Sequence, residues 1–152
     1  MERFIERLAS HEIIGLDTSV FIYHLEAHPV YLSLTQELLN GVQAGQWHAV
    51  TGAITIMELT VPAWRSGQEA AARQYEALLA NFPHLKIVDV TRDVARYAAQ
   101  LRARTNIRPA DALQVAACLV EKATVFITND RGLTRLQPVI DVVILDDYTT
   151  QP

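Results

Sequence analysis

The chain has 152 residues and a formal net charge of −4; half of it is hydrophobic and a fifth is charged. That composition excludes a disordered chain, a disulfide scaffold (Cys118 is its one cysteine) and a protein that holds nucleic acid by bulk positive charge. No apolar run approaches the roughly 20 residues of a membrane span, and MERFIERLASHE lacks the apolar segment of a signal peptide, so a single cytoplasmic domain is expected.

Residues 1–12 read as an N-terminal extension, helical, with Phe4, Ile5 and Leu8 as a small apolar face. EIIGLD (12–17) follows as a first strand. YLSLTQELLNGVQAG places Leu32, Leu34, Leu38, Leu39 and Val42 on one side of a helix. WHAVTGA (47–53) is a second strand, and the helix after it carries ITIMELTV (54–61). GQEAAARQYEALLANFP is helical and stops at Pro83, before a third strand, LKIVDV (85–90). TRDVARYAAQLRARTN opens with a capping-type Thr91 and aligns Val94, Tyr97, Ala98 and Leu101. RPADALQVAACLVEKA starts a helix on Pro109, then come strands TVFITND (124–130) and DVVILDDY (141–148). Cys118 reads as a small core residue of that helix. Continuous apolar strands alternating with helices predict βαβ units and a three-layer α/β/α domain with a mainly parallel sheet of about five strands.

In such sheets chemistry collects at the carboxyl ends of the strands, near the point where strand order reverses. Asp17 ends the first strand and Asp130 the fourth; Glu58 and Asp111 lie in helices that flank them. Each aspartate also has an ordinary reading, as a helix cap, a first-turn acid or a turn residue. Glu58 has none, because no lysine or arginine lies within four residues of it in an apolar run. Four carboxylates in one crevice repel, and a hard divalent cation makes the cluster favourable. Oxygen-only donors select Mg²⁺ or Mn²⁺ over zinc, and a bound water made acidic by such an ion suits phosphodiester hydrolysis.

Four motifs in this order, LDTSVFIY around Asp17, AITIMEL around Glu58, RPADALQVAAC around Asp111 and FITNDRGL around Asp130, resemble the PIN-domain family, in particular VapC-like ribonuclease toxins. The resemblance covers nearly everything after residue 12, so that residues 13–152 would be the PIN domain. It implies a Mg²⁺- or Mn²⁺-dependent endoribonuclease, a homodimer, and a cognate antitoxin protein as inhibitor. Carried over by motif, Asp17, Glu58, Asp111 and Asp130 would be the catalytic and metal-binding acids, with Thr128 and Ser19 supporting them. Gly132 stands where many relatives carry another aspartate, which puts metal occupancy at that edge in question.

Lysine occurs only as Lys86 and Lys122, while arginine occurs eleven times. Arg102, Arg104, Arg108 and Arg131 are the ones placed to meet an RNA phosphate, a solvated helix face being the alternative for each. Trp47 and Trp64 read as packing residues before base-stacking ones, Phe21 and Tyr23 as core, and His24 has no evident partner as a base. A phosphorelay receiver would accept Asp89 but needs a lysine after the fifth strand, and none follows Lys122; a haloacid-dehalogenase phosphatase needs Asp-x-Asp, where the chain reads Asp17-Thr18-Ser19. A catalytically weak PIN-like binding module and a metal-dependent DNA nuclease are the alternatives that keep the same acids.

Overall fold

In the computed structural model, which describes residues 1–149, five parallel strands form one sheet in the order β3-β2-β1-β4-β5. The strands are β1 (Ile13–Leu16), β2 (His48–Gly52), β3 (Leu85–Val88), β4 (Val125–Thr128) and β5 (Asp141–Ile144). Residues 150–152 of the expected domain lie outside the described residues. Each strand falls within an apolar run predicted from sequence. In the fifth run only Asp141–Ile144 is strand, because Leu145–Tyr148 turns into a 3-10 helix. β4 is buried along its length, whereas Leu85, Lys86 and Ile87 of the edge strand β3 are not.

The helices are α1 (Glu2–Leu8), α2 (Thr18–Leu25), α3 (Leu32–Gln43), α4 (Ile54–Arg65), α5 (Glu69–Ala80), α6 (Arg92–Thr105) and α7 (Pro109–Val120). Their starts follow the local chemistry. Thr91 caps α6 by accepting from the Val94 amide at 3.2 Å, and Pro109 opens α7 where a missing N–H does no harm. The C-cap of α6 is Asn106 in the left-handed region (φ 53°), a conformation asparagine tolerates.

Two apolar cores lie on either side of the sheet. Ile14, Leu16, Ala49, Val125 and Ile127 face one, with Phe4 and Leu8 of α1, Val20 and Phe21 of α2, and Leu34, Leu38 and Leu39 of α3. Val50, Phe126, Val142 and Ile144 face the other, with Val94 and Leu101 of α6 and Val115 and Cys118 of α7. This is the three-layer α/β/α arrangement. β1 sits in the centre: from it the chain adds strands first on one side and then on the other. The reversal therefore lies between β1 and β4, and the carboxyl ends of those two strands frame the crevice of interest.

Candidate functional site

The pairing of β1 with β4 sets Leu16 opposite Ile127, and the Asp17 amide donates to the Ile127 carbonyl at 3.0 Å. Asp17 thereby leaves the sheet beside Thr128 and becomes the N-cap of α2, in extended backbone (φ −74°, ψ 157°). Its Oδ1 accepts from the Thr18 amide at 2.8 Å, and its Oδ2 from the Thr128 hydroxyl at 2.6 Å. Thr128 is fully buried and also accepts from the Asp130 amide at 3.1 Å, so one hydroxyl ties the two strand-end aspartates together.

Asp111 projects from the first turn of α7, where its side chain is 19 % exposed. Arg108, three residues earlier, donates from Nε to Asp111 Oδ2 at 3.0 Å and from Nη2 to Asp130 Oδ2 at 3.3 Å. A single guanidinium thus spans two of the four acids. The other oxygen of Asp130 accepts from the Gly132 amide at 2.8 Å and caps the 3-10 helix Arg131–Leu136. Gly132 adds no carboxylate at this edge, and one oxygen of Asp130 is already committed to the cap.

Glu58 departs from the expectation drawn from its sequence. The apolar run suggests a carboxylate taken out of water with no partner. Helical spacing instead turns Thr55, Leu59 and Ala63 of α4 inward and leaves Glu58 exposed. It does have a partner: the Thr18 hydroxyl donates to Oε1 at 2.9 Å. Burial pushes the Asp17 carboxyl up to about 6 against the pull of its Thr128 and Thr18 hydrogen bonds, and the like charges of Asp111 and Glu58 push the same way. The four acids are therefore neighbours at the carboxyl ends of β1 and β4, linked through Thr18, Thr128 and Arg108.

The remaining candidates divide. Ser19 Oγ is buried without a hydrogen-bond partner among the described residues. Arg102 donates to the Ile107 carbonyl and Arg104 is exposed in the last turn of α6; among the described residues neither pairs with one of the four acids. Arg131 pairs with Asp146 and Asp147 instead of standing free for a phosphate. Trp47 is buried and donates to the Leu8 carbonyl, while Trp64 is 48 % exposed with the Arg73 guanidinium over its ring, so core packing holds for the first alone and an interface is the packing left to the second. Phe21 is core; Tyr23 is half-buried, its hydroxyl accepting from Asn129. Burial lowers the His24 imidazole, and its Nδ1 has no partner among the described residues. Cys118 is core as expected, and burial pushes its thiol up. Sequence reading passed over Thr18, Thr51, Thr55 and Gln114, which lie buried beneath the acids. The available signal was Gln114, a polar residue inside the apolar run ALQVAACLV.

The sequence matches the family model of the PIN domain over residues 14–137. The chain belongs to the PIN-domain family. No curated protein matches it significantly. Among solved structures, this PIN domain is similar to VapBC2 from Rickettsia felis bound to a promoter DNA fragment (21 % identity, TM-score 0.66, covering 87 % of this chain and 98 % of that one). It is also similar to FitAcB from Neisseria gonorrhoeae (20 % identity, TM-score 0.64, 87 % and 97 % covered). A toxin–antitoxin complex from Klebsiella pneumoniae matches as well (19 % identity, TM-score 0.63, 87 % and 97 % covered). At these identities the likeness is one of fold.

PIN domains are in general nucleases that depend on a divalent metal, and the residues of this crevice suit one. Every side-chain donor among the four acids is a carboxylate oxygen, the preference of Mg²⁺ and Mn²⁺. Burial and the neighbouring Asp111 and Glu58 charges raise the Asp17 carboxyl, a balance that a cation would reverse, and Arg108 already sets a positive charge between Asp111 and Asp130. Among the described residues no three acidic, histidine or cysteine side chains close around a single point. Mg²⁺ does not ask for that, since it commonly takes one or two carboxylates and keeps several waters.

Proposed function

We propose that this PIN domain is a Mg²⁺- or Mn²⁺-dependent endoribonuclease that acts as the toxin of a toxin–antitoxin pair. The observation that carries the reading is the meeting of Asp17, Glu58, Asp111 and Asp130 at the β1–β4 reversal, with Arg108 across two of them. Asp17 and Asp111 would hold the cation, with Glu58 and Asp130 completing the set. When bound, the cation acts as a Lewis acid on the phosphoryl group and makes water nucleophilic at neutral pH.

The chain's own residues do the rest. Thr128 holds Asp17 in one rotamer, and Thr18 does the same for Glu58. Arg108 is 78 % exposed, and its planar fork suits a phosphate of the RNA strand once a cation balances Asp111 and Asp130. A single-stranded or looped RNA suits a chain of net charge −4, because contact is confined to one crevice instead of a basic surface. Met57, Trp64 and Leu78 are exposed apolar residues of α4 and α5, surface that an antitoxin or a second copy would cover in a homodimer.

The test uses the full chain, freed of any co-purifying partner, with matched RNA and DNA oligomers in Mg²⁺, Mn²⁺ and EDTA. Expected is cleavage of RNA that leaves 5′-phosphate ends. It disappears in EDTA and in Asp17→Asn and Asp111→Asn proteins whose circular dichroism is unchanged. Arg108→Ala should raise KM about 10-fold with a smaller effect on kcat. Cleavage of DNA alone would move the substrate class. Intact RNA and DNA in the presence of bound Mn²⁺ would leave a binding module with the acids of an enzyme.

A further inference from the structure

Beneath the acids lies a closed set of uncharged polar groups whose orientations can be worked out one by one. Gln114 of α7 is 2 % exposed, among the core residues Ala112, Val115 and Ala116. Its Oε1 accepts from the Gly52 amide at 2.9 Å. A backbone N–H only donates, so this bond fixes which end of the side-chain amide is oxygen. The Nε2 end then faces three hydroxyls, those of Thr55 at 2.7 Å, Thr51 at 3.3 Å and Thr18 at 3.4 Å.

The hydroxyl protons follow in order. Thr51 Oγ1 lies 2.8 Å from the Leu16 carbonyl, which can only accept, so the Thr51 proton goes there. Thr55, 2.7 Å from Thr51, must then donate to it. Thr55 has no second proton for Thr18, 3.2 Å away, and turns its lone pairs to Gln114. Thr18 accepts from the remaining Gln114 proton, which leaves its own hydroxyl to donate to Glu58 Oε1.

We propose that Gln114 is a positioning residue of the acidic site: by donating to Thr18 it directs that hydroxyl onto Glu58 and holds the carboxylate toward the crevice, while its other proton anchors the Thr55–Thr51 branch that ends on the Leu16 carbonyl. The proposal rests on the reading of Glu58 as a metal ligand. An exposed glutamate otherwise spreads over several rotamers, and ligands held by an outer ring of hydrogen bonds bind metal more tightly than loose ones. A leucine or methionine would satisfy the core at this place equally well; the amide is needed because three hydroxyls and one N–H converge on it. Gly52 is part of the device, since a Cβ there would stand 2.5 Å from Gln114 Oε1.

The test is the affinity for Mn²⁺, followed by electron paramagnetic resonance on the full chain. Gln114→Met and Thr18→Val should each weaken it about 10-fold, and Thr18→Ser should restore it. In a Glu58→Gln background neither change should weaken binding further, because the Thr18 hydroxyl then has no carboxylate to hold. A tenfold loss from Gln114→Met that persists undiminished in the Glu58→Gln background would overturn the proposal in favour of general damage. So would wild-type affinity in Gln114→Met while Glu58→Gln alone weakens binding. Unchanged affinity in Glu58→Gln sinks the ligand reading itself, which is a separate failure. If Gln114→Met does not fold, the Thr18→Val and Thr18→Ser pair in both backgrounds decides whether the Thr18 hydroxyl holds Glu58.

Discussion

Asp17 performs two tasks that a sequence presents as alternatives. One oxygen caps α2 and the other accepts from Thr128, so the ordinary role and the functional one occupy different atoms of the same carboxylate. Its carboxyl is raised to about 6, chiefly by burial. A raised carboxyl is most favourable in the folded chain when protonated. Its contribution is complete below the unfolded value of about 4 and is lost as pH rises toward about 6. At neutral pH the metal-free protein therefore carries an unfavourable charge. Asp17→Asn should stabilise it there by about 1–2 kcal/mol, a value that allows for the partial exposure of the group. Thermal denaturation in EDTA checks this: the melting temperature of the variant should rise near neutral pH and gain nothing at about pH 4. A loss at both would mean that the cap outweighs the charge. At this scale the sequence was half legible. Asp17 and Asp130 stand at the strand ends and Asp111 in the first turn of α7, as read, but the partner of Glu58 was invisible, because Thr18 lies 40 positions away in the chain.

Elements were the most readable level, because periodicity and caps are local. The stripe on α6, its Thr91 cap and the proline opening α7 all follow from residues within a few positions of one another. What local pattern does not contain is the packing of one element against another. Nothing in HAVTG announces that Gly52 must be a glycine. Yet an added methyl would press on Gln114 Oε1 at 2.5 Å and approach the Ala117 Cβ at 3.3 Å. Gly52→Ala should cost about 1–3 kcal/mol in urea unfolding, as overpacking of a filled core does. It should also separate β2 from α7, which the loss of protection of the Gly52 amide in hydrogen exchange would report. Wild-type stability in that variant would show that α7 can shift to admit the methyl. The exposed Lys86 of β3 likewise depends on being at a sheet edge, a property of strand order that no single run displays.

For the molecule as a whole, α1 joins the core on the face of the sheet that carries α2 and α3. Phe4 and Leu8 are fully buried there, and the Phe4 ring meets Tyr148 at 5.4 Å between centroids. Arg7 pairs with Asp141 at the start of β5, and the Trp47 indole donates to the Leu8 carbonyl, so α1 is fastened at three places. Phe4→Ala should destabilise the chain by about 3–5 kcal/mol, read as a lower urea midpoint with unchanged slope. A loss below about 1 kcal/mol would mean that the helix can leave without disturbing the sheet. The parallel sheet itself was legible from strands alternating with helices. The central place of β1 followed only once β1 and β4 were seen to pair.

That pairing also sets a clock. The Thr128 hydroxyl reaches Asp17 across 111 positions of chain. At a synthesis rate of about 5–20 residues per second, on the order of ten seconds separates the first residue of this contact from the last as a ribosome delivers them. Until then Asp17 lacks the Ile127 carbonyl and the Thr128 hydroxyl that flank it, and Arg108 has no Asp130 to bridge to Asp111. A chain interrupted before β4 therefore has Asp17, Glu58 and Asp111 but neither the fourth acid nor the hydroxyl that ties the two strand-end aspartates together.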